Sequence, residues 1–367
     1  MTTSAQLLRP LTLRCGAVVR NRVALAPLTN LQSHADGRCS DEERAWLVRR
    51  AAGEFGIVET CASHVTRTGQ GFKGQLGVFE AGLLPGLTQL AREIAENQSL
   101  GLVQLYHGGV RSPSKLTGQQ PISASAFDED HPKFERPRAA TNAEIRALIQ
   151  DFVAAARLSE EAGFAGVEIH AAHGYLFSQF LSQTMNTRSD AWGGDLVGRA
   201  RFLRETTRAV REATGDGFIV SVRISPEDFG YARGLDLDES LQIAAWLAED
   251  GIDLLHLSLW DVDKSTAKRP TEHPLPLFRK RVPEAVKLVV AGKIWTAEDA
   301  EKALSLGADI VSLGRVAILN PDWPKQVAEN SGFEPERGPL TREQLRDLTI
   351  SDTFVDYLKR FRMVAEQ

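Results

Sequence analysis

Residues 167–182 read VEIHAAHGYLFSQFLS, and this stretch decides the fold. A short β-branched run comes first, a polar segment with two histidines follows, and apolar side chains at helical spacing come next. Seven similar runs occur elsewhere, so that the eight runs are 23–26, 57–59, 102–105, 167–170, 219–224, 254–257, 288–291 and 310–313. Strand runs that alternate with helices and are apolar on both faces are typical of a parallel sheet covered by helices. Eight such units favour a closed TIM (β/α)8 barrel over a doubly wound sheet.

The ends of the predicted helices carry their own signals. A hydroxyl followed three positions later by a carboxylate forms a capping box, and glycine often ends a helix in a left-handed conformation. The boxes pair Ser40 with Glu43, Thr141 with Glu144 and, more weakly, Thr296 with Asp299, and the glycines are Gly163, Gly251 and Gly307. Towards the C-terminus the pattern predicts two further helices, near Thr341 and over 351–362, packed on the outside of the barrel. We therefore expect a single domain over 1–367, with the barrel at about 20–330 and a C-terminal helical extension at about 331–367.

Composition limits the class of protein. The chain has 367 residues, 43% apolar and 25% charged, which excludes a disordered or collagen-like protein. Its 43 basic and 48 acidic residues give a net charge of −5 without a block of like charge, so we expect no nucleic-acid or anionic-membrane partner. Three cysteines without Cys-x-x-Cys spacing argue against a disulfide framework and a thiolate metal cluster. Because no targeting signal and no apolar run near ~18 residues is present, we expect a soluble, cytoplasmic protein.

The residues that follow the predicted strands are unusually polar. In an eight-unit barrel the chemistry lies at the C-terminal ends of the strands, which makes these side chains the candidate site. They include Thr29, Gln104, His170, His173, Tyr175, Arg223, Lys293 and Arg315. Gly292 and Gly314, after strands seven and eight, would let backbone amides approach a phosphate beside Arg315. A turn followed by a surface arginine is the alternative interpretation of that corner.

Two histidines three residues apart, His170 and His173, allow two interpretations. A zinc site lacks the glutamate of a metalloprotease helix, and no His-x-His follows strand one, so we expect no metal. Two neutral imidazoles can instead donate hydrogen bonds to one carbonyl oxygen and stabilise negative charge that develops there. Tyr175 could then supply a proton, although spacing alone does not separate this role from that of a core or rim tyrosine.

Several longer motifs together carry a resemblance to a known family. They are NRVALAPLT at 21–29, VQLYHGG at 103–109, GVEIHAAHGYLFSQFLS at 166–182, NTRSDAWGGD at 186–195, VRIS at 222–225 and LGRVAILNPDWP at 313–324. Through these motifs the chain resembles the old yellow enzyme family of FMN-dependent reductases over about residues 10–330. Val110 departs from the pattern, because an arginine commonly follows the glycine pair, and Lys293 departs within the strand-seven loop.

The resemblance implies noncovalent FMN across the barrel mouth and assigns residues to it. The implied FMN-binding residues are Ala26, Pro27, Leu28, Thr29, Ala62, Gln104, Arg223, Gly292, Lys293, Gly314 and Arg315. Within this set Gln104 would pair with the pyrimidine edge, Arg223 would place positive charge near N1 and O2, and Arg315 would bind the phosphate. Lys293 either adds charge to the phosphate site or points outward. The implied catalytic residues are His170 and His173, which hold the substrate carbonyl, and Tyr175, which donates a proton.

The resemblance further implies an FMN-dependent ene-reductase that takes hydride from NAD(P)H and reduces the C=C bond of an α,β-unsaturated carbonyl compound. An enzyme like 2,4-dienoyl-CoA reductase is an alternative, but the chain has no cysteine after Cys61 to hold its iron-sulfur cluster. A non-catalytic flavin-binding sensor and a flavin-free phosphate-binding barrel are further alternatives. We expect specificity in segments 107–140 and 260–273. The choice between NADH and NADPH, and association into a homo-oligomer, stay open.

Overall fold

The computed structural model describes residues 6–127, 134–330 and 332–365. Its centre is a closed barrel of eight parallel strands. In chain order these strands, β1 to β8, are Val23–Leu25, Ile57–Glu59, Leu100–Tyr106, Gly166–Ala171, Ile219–Ile224, Leu254–Ser258, Lys287–Ala291 and Ile310–Leu313. Each strand pairs with the next, and β8 pairs back onto β1, which closes the barrel. The predicted TIM (β/α)8 barrel is confirmed.

Helices surround the barrel and connect its strands. Those between β1 and β8 are Asp41–Ala52, Leu84–Glu96, Ser114–Thr117, Asn142–Glu161, Leu176–Leu181, Leu196–Ala213, Leu237–Glu249, Pro274–Arg279 and Ala297–Ser305. Those after β8 are Arg315–Leu319, Trp323–Glu329, Arg342–Asp347 and Asp352–Leu358. Complete capping boxes form at Thr141 and at Thr296, the latter as fully as the former. None of the helices in the described part of the chain is both long and apolar enough to cross a membrane.

A short hairpin closes the N-terminal end of the barrel. Its strands, Leu11–Thr12 and Val18–Val19, pair antiparallel. Val19 packs with a layer of buried side chains that seven of the barrel strands contribute, among them Ala24, Ile57 and Leu102. Because this end is filled with apolar side chains, the polar chemistry is left to the opposite end.

The C-terminal helices form as predicted, but their position differs from the expectation. Phe354 meets Trp46 on the first helix at 5.1 Å between ring centroids, and the Arg50 guanidinium donates to Leu348 O at 2.9 Å. These contacts lie on the outer surface of the barrel. In addition, side chains within 354–363 reach the C-terminal end of the barrel and line the cavity there. The expectation of external packing alone is therefore wrong, because the apolar face of Asp352–Leu358 covers two surfaces at once.

Candidate active site

A cavity of about 620 Å³ lies at the C-terminal ends of the strands. Its lining includes every predicted site residue except Ala62, Gln104 and His170. The predicted residues that line it are Ala26, Pro27, Leu28, Thr29, His173, Tyr175, Arg223, Gly292, Lys293, Gly314 and Arg315. The volume falls within the usual range of small-molecule sites, about 300 to 1,000 Å³.

His170, His173 and Tyr175 form one cluster where β4 ends, and of these His173 and Tyr175 line the cavity. The Tyr175 ring lies 4.9 Å from that of His170, and the two imidazoles are 5.0 Å apart between centroids. The backbone turns sharply here, since His173 has a φ of 61° and Gly174 a φ of 73°. A side chain at Gly174 would lie 2.6 Å from Tyr231 O, so only glycine fits this turn.

Both imidazoles are held neutral. Burial lowers the pKa of His170 and of His173 well below the usual range, and the nearby charges of Arg223 and Arg111 lower it further. His170 Nδ1 accepts the Ala172 N–H at 3.3 Å, which leaves the proton on Nε2 and makes that nitrogen a donor.

Ser258 links His173 to Arg223. Arg223 Nη2 donates to Ser258 Oγ at 3.1 Å, and His173 Nε2 lies 2.6 Å from the same oxygen. A hydroxyl that accepts from the guanidinium can donate its own proton to the imidazole, which then carries its proton on Nδ1. In this arrangement a ligand oxygen would accept a hydrogen bond from Nδ1 of His173. Alternatively, the ligand oxygen would take the place of Ser258 Oγ and accept from Nε2.

A buried network supports the residues predicted for the flavin pyrimidine edge. Gln104 Nε2 donates to Glu168 Oε1 at 2.8 Å, and His256 Nδ1 lies 2.8 Å from Glu168 Oε2. Ser221 Oγ donates to the same oxygen at 3.1 Å. His256 therefore lies in the core, and Glu168 fixes the orientation of the Gln104 amide.

Glu59 adds a second carboxyl to this network. Burial, together with the charge of Glu168, raises the pKa of Glu59 well above its usual range. Burial also acts to raise the pKa of Glu168, but His256, Arg223 and the Gln104 hydrogen bond outweigh it and keep this pKa low. One ionised carboxylate thus faces one guanidinium, while Glu59 holds a proton. Potential ligand atoms of Glu59, Glu168 and His256 lie within 4.8 Å of one another, and Arg223 supplies a positive charge beside them.

The opposite end of the cavity, after β7 and β8, is more exposed. Arg315 begins a short helix at Gly314, whose added Cβ would lie 3.7 Å from Leu28. Lys293 Nζ lies 2.9 Å from Asp261 Oδ2 and 5.5 Å from the Trp260 ring centroid. Lys293 thus stays at the cavity edge in an ion pair. On the β3 side, His107 accepts the Gly109 N–H at Nδ1 and caps its own loop.

Sequence reasoning missed several lining residues. Arg111, one position after the atypical Val110, points into the cavity, and Trp260 lies at its rim with 57% exposure. Both fall in the two segments expected to set specificity, of which residues 128–133 lie outside the described part of the chain. For Arg111 the sequence offers one signal: an arginine lies one position after the place where the family commonly has one. The aromatic residues of 354–363 carry no such signal, because their spacing is that of packing residues.

A polar cavity at the C-terminal ends of the strands, with glycines and an arginine after β7 and β8, is typical of TIM-barrel enzymes that bind a phosphorylated ligand. Residues 6–333 match the model of the NADH:flavin oxidoreductase / NADH oxidase family. The chain belongs to this family, and it is an FMN- and NAD(P)H-dependent flavin oxidoreductase of the old yellow enzyme type.

Individual relatives agree with this assignment. The chain is 36% identical to a probable NADH-dependent flavin oxidoreductase of Bacillus subtilis (strain 168), over 88% of each protein. The old yellow enzyme homologue from Zymomonas mobilis superposes with a TM-score of 0.82 at 27% identity, covering 93% of this chain and 96% of the other. The structure of morphinone reductase in complex with tetrahydroNAD superposes with a TM-score of 0.80 at 27% identity, covering 95% of this chain and 96% of the other. The chain spans only 38% to 49% of three longer curated relatives.

The residues present fit FMN. Arg223 Nε and Ser312 Oγ are buried in the cavity wall without a hydrogen-bond partner among the described residues, which indicates a polar ligand at that position. The Arg315 guanidinium likewise has no carboxylate within 4.0 Å in the described part of the chain, so it is available for a phosphate.

Proposed function

We propose that the chain is an ene-reductase, which reduces the C=C bond of α,β-unsaturated carbonyl compounds with hydride from NAD(P)H. The observation that carries this proposal is the cluster of two neutral histidines and Tyr175 where β4 ends: His173 and Tyr175 line the cavity, and the buried His170 ring lies 4.9 Å from that of Tyr175. A sensor or a flavin store would not require such a cluster. FMN, when bound, supplies the two-electron chemistry that links the nicotinamide to the alkene.

In this proposal the histidines bind the substrate carbonyl oxygen. His170 donates through Nε2, and His173 donates through whichever nitrogen Ser258 leaves protonated. Because both rings are neutral and buried, they can stabilise negative charge on the oxygen without carrying a competing charge of their own. Tyr175, in contact with both rings, holds the proton that the α-carbon receives.

We also propose roles for the remaining predicted residues. Residues 26–29 would support the flavin ring, Ala62 would leave room for it, and Gln104 and Arg223 would bind its pyrimidine edge. Gly292, Lys293, Gly314 and Arg315 would bind its phosphate. The C-terminal residues line the same cavity as β1, β7 and β8, which supports a single FMN-binding domain over 1–367.

The Tyr175→Phe variant tests the proposed reaction. It keeps the ring and its packing but removes the hydroxyl, so FMN content and reduction by NAD(P)H should be unchanged. Turnover of a weakly activated enone should slow by about 10²- to 10⁴-fold, the usual contribution of a positioned general acid. Stopped-flow absorbance measures the two half-reactions separately.

Tyr357→Phe is the matched control, because Tyr357 lines the same cavity but has no proposed chemical role. It should leave both half-reactions unchanged. Equal slowing of both half-reactions by Tyr175→Phe would mean that the tyrosine only shapes the cavity. If the unmodified protein failed to reduce any enone, the ene-reductase assignment itself would be wrong.

A further inference from the structure

Positive charge dominates the cavity wall. Four cationic side chains line it, Arg111, Arg223, Lys293 and Arg315, and the described lining residues include no Asp or Glu. Three of these cations belong to positions proposed to bind FMN. Arg111 follows β3, across the barrel from β7 and β8, where the phosphate end lies. Its charge is therefore not explained by FMN.

The Arg111 side chain is held firmly, and none of the carboxylates in the described part of the chain neutralises its charge. Its Nη1 donates to His173 O at 2.9 Å, and its Cζ lies 4.1 Å from the Tyr175 ring centroid and 4.7 Å from that of Tyr231. A carbonyl and two aromatic faces orient a guanidinium without adding a negative charge. No carboxylate oxygen of the described residues lies within 4.0 Å of it. A fixed cation thus stands beside the proposed proton donor.

We propose that Arg111 binds a carboxylate group of the substrate, so that the enzyme prefers α,β-unsaturated carbonyl compounds that carry an additional carboxylate. This inference rests on the proposed ene-reductase function and names its substrate class. A guanidinium has five N–H donors in a planar fork, and only one nitrogen is engaged with His173. The free donors can bind both oxygens of a carboxylate.

The position of Arg111 favours a substrate carboxylate over a phosphate of the nicotinamide dinucleotide. Arg111 contacts both His173 and Tyr175, so a group bound to it lies within the length of one small molecule from the reacting carbons. A ribose separates the nicotinamide ring from the nearest phosphate of the dinucleotide. The phosphate is therefore the second anion to be tested.

The test compares a charged and a neutral form of one substrate. The substrates are a cyclohexenone bearing a propanoate side chain and its methyl ester, assayed with the flavin-loaded protein and with its Arg111→Gln and Arg111→Lys variants. Arg111→Gln should raise KM for the acid about 10- to 100-fold relative to the ester, the usual effect of losing a hydrogen bond between charged groups. Arg111→Lys, which keeps the charge, should restore part of this preference.

Ligand binding gives a second measurement that does not depend on turnover. The dissociation constants of para-hydroxybenzoate and its methyl ester, measured from the change in flavin absorbance, should show the same selective loss in Arg111→Gln. Equal weakening of acid and ester would show that Arg111 only positions His173 and Tyr175. A defect confined to reduction by NADH would assign the cation to a dinucleotide phosphate, and either result overturns the inference.

The two proposals can fail separately. If neither the acid nor the ester is reduced although NADH reduces the flavin, the ene-reductase function is wrong, and hydroxybenzoate binding still decides the role of Arg111. If both are reduced with the same preference in all three proteins, the function stands and the carboxylate site is wrong.

Discussion

The two ends of the cavity are built differently. At the β3 to β6 end, Gln104, Glu168 and Arg223 are almost completely buried, and Glu168 accepts from Gln104 and lies near the charge of Arg223. At the β7 and β8 end, Arg315 and Lys293 are exposed, and Lys293 already has Asp261 as a partner. When one partner of a buried charged pair is removed, the other charge stays buried without compensation, and the protein is strongly destabilised. Exposed charges are screened by water, so that the loss of one costs little. The same kind of substitution should therefore have very different effects at the two ends.

The largest effect is expected for Glu168→Gln. This variant removes the buried negative charge that contacts Gln104 and His256 and lies near the Arg223 guanidinium, and removing one member of such a buried charged network costs about 3 to 5 kcal/mol of unfolding free energy. Glu59→Gln is the matched control, because Glu59 already holds a proton. This variant should lose no more than about 1 kcal/mol of unfolding free energy. Urea denaturation measures both variants. Similar losses in the two variants would show that the carboxyls share the charge and that the assignment of the proton to Glu59 is wrong.

A smaller effect, on cofactor affinity, is expected at the exposed end. Arg315→Ala should weaken FMN binding to the flavin-free protein about 10- to 100-fold, while the unfolding free energy of that protein changes little. Lys293→Gln should weaken binding less, because its ammonium group is already paired with Asp261. Titration of FMN by fluorescence quenching measures both constants. A stronger effect at Lys293 than at Arg315 would reverse the proposed order of phosphate contacts.

The third effect is a pH dependence of stability that the buried histidines produce, and near neutral pH it is the smallest of the three. Burial lowers the pKa of His107 to about 3, while the unfolded chain has a value near 6.5. Below pH ~6.5 the unfolded state binds a proton that the folded state does not, so stability falls by up to ~1.4 kcal/mol per pH unit until about pH 3. His107→Asn keeps an acceptor for the Gly109 N–H and should reduce this slope, as urea denaturation between pH 7 and 4 would show. His34→Asn, at an exposed position, should leave the slope as it is; if it flattened the curve as much as His107→Asn, burial would not be the cause.

Local patterns predicted the fold well because each barrel strand is apolar on both faces. The runs 57–59, 219–224 and 310–313 match the strands residue for residue, since each is bounded by turn residues. The Ser40 capping box is only half formed. Glu43 turns away from its cap and accepts from Asn30 Nδ2 at 3.0 Å, and no helix signal reports such a tertiary contact.

The site was predicted where a side chain lies at the C-terminal end of its own strand or follows that strand directly. His173 and Tyr175 satisfy that condition, and so do Gly314 and Arg315. Glu168 lies within a strand run, where alternation does not reveal that its carboxylate meets Gln104 and His256 from neighbouring strands. Arg111 and Phe354 enter the cavity through loop and helix geometry, which spacing along the chain does not encode.

The late position of the cavity wall in the chain has a consequence for biosynthesis. The last barrel strand ends at Leu313, while wall residues continue to Met363, about fifty residues later. At about 5 to 20 residues per second, a ribosome needs several seconds to make this interval. During that time a nascent barrel can close its strands, but it lacks Phe354 and Tyr357 on one side of the cavity. The complete cofactor environment therefore forms only after the helix Asp352–Leu358 has been made, and a protease that removes this helix would open the same side of the cavity.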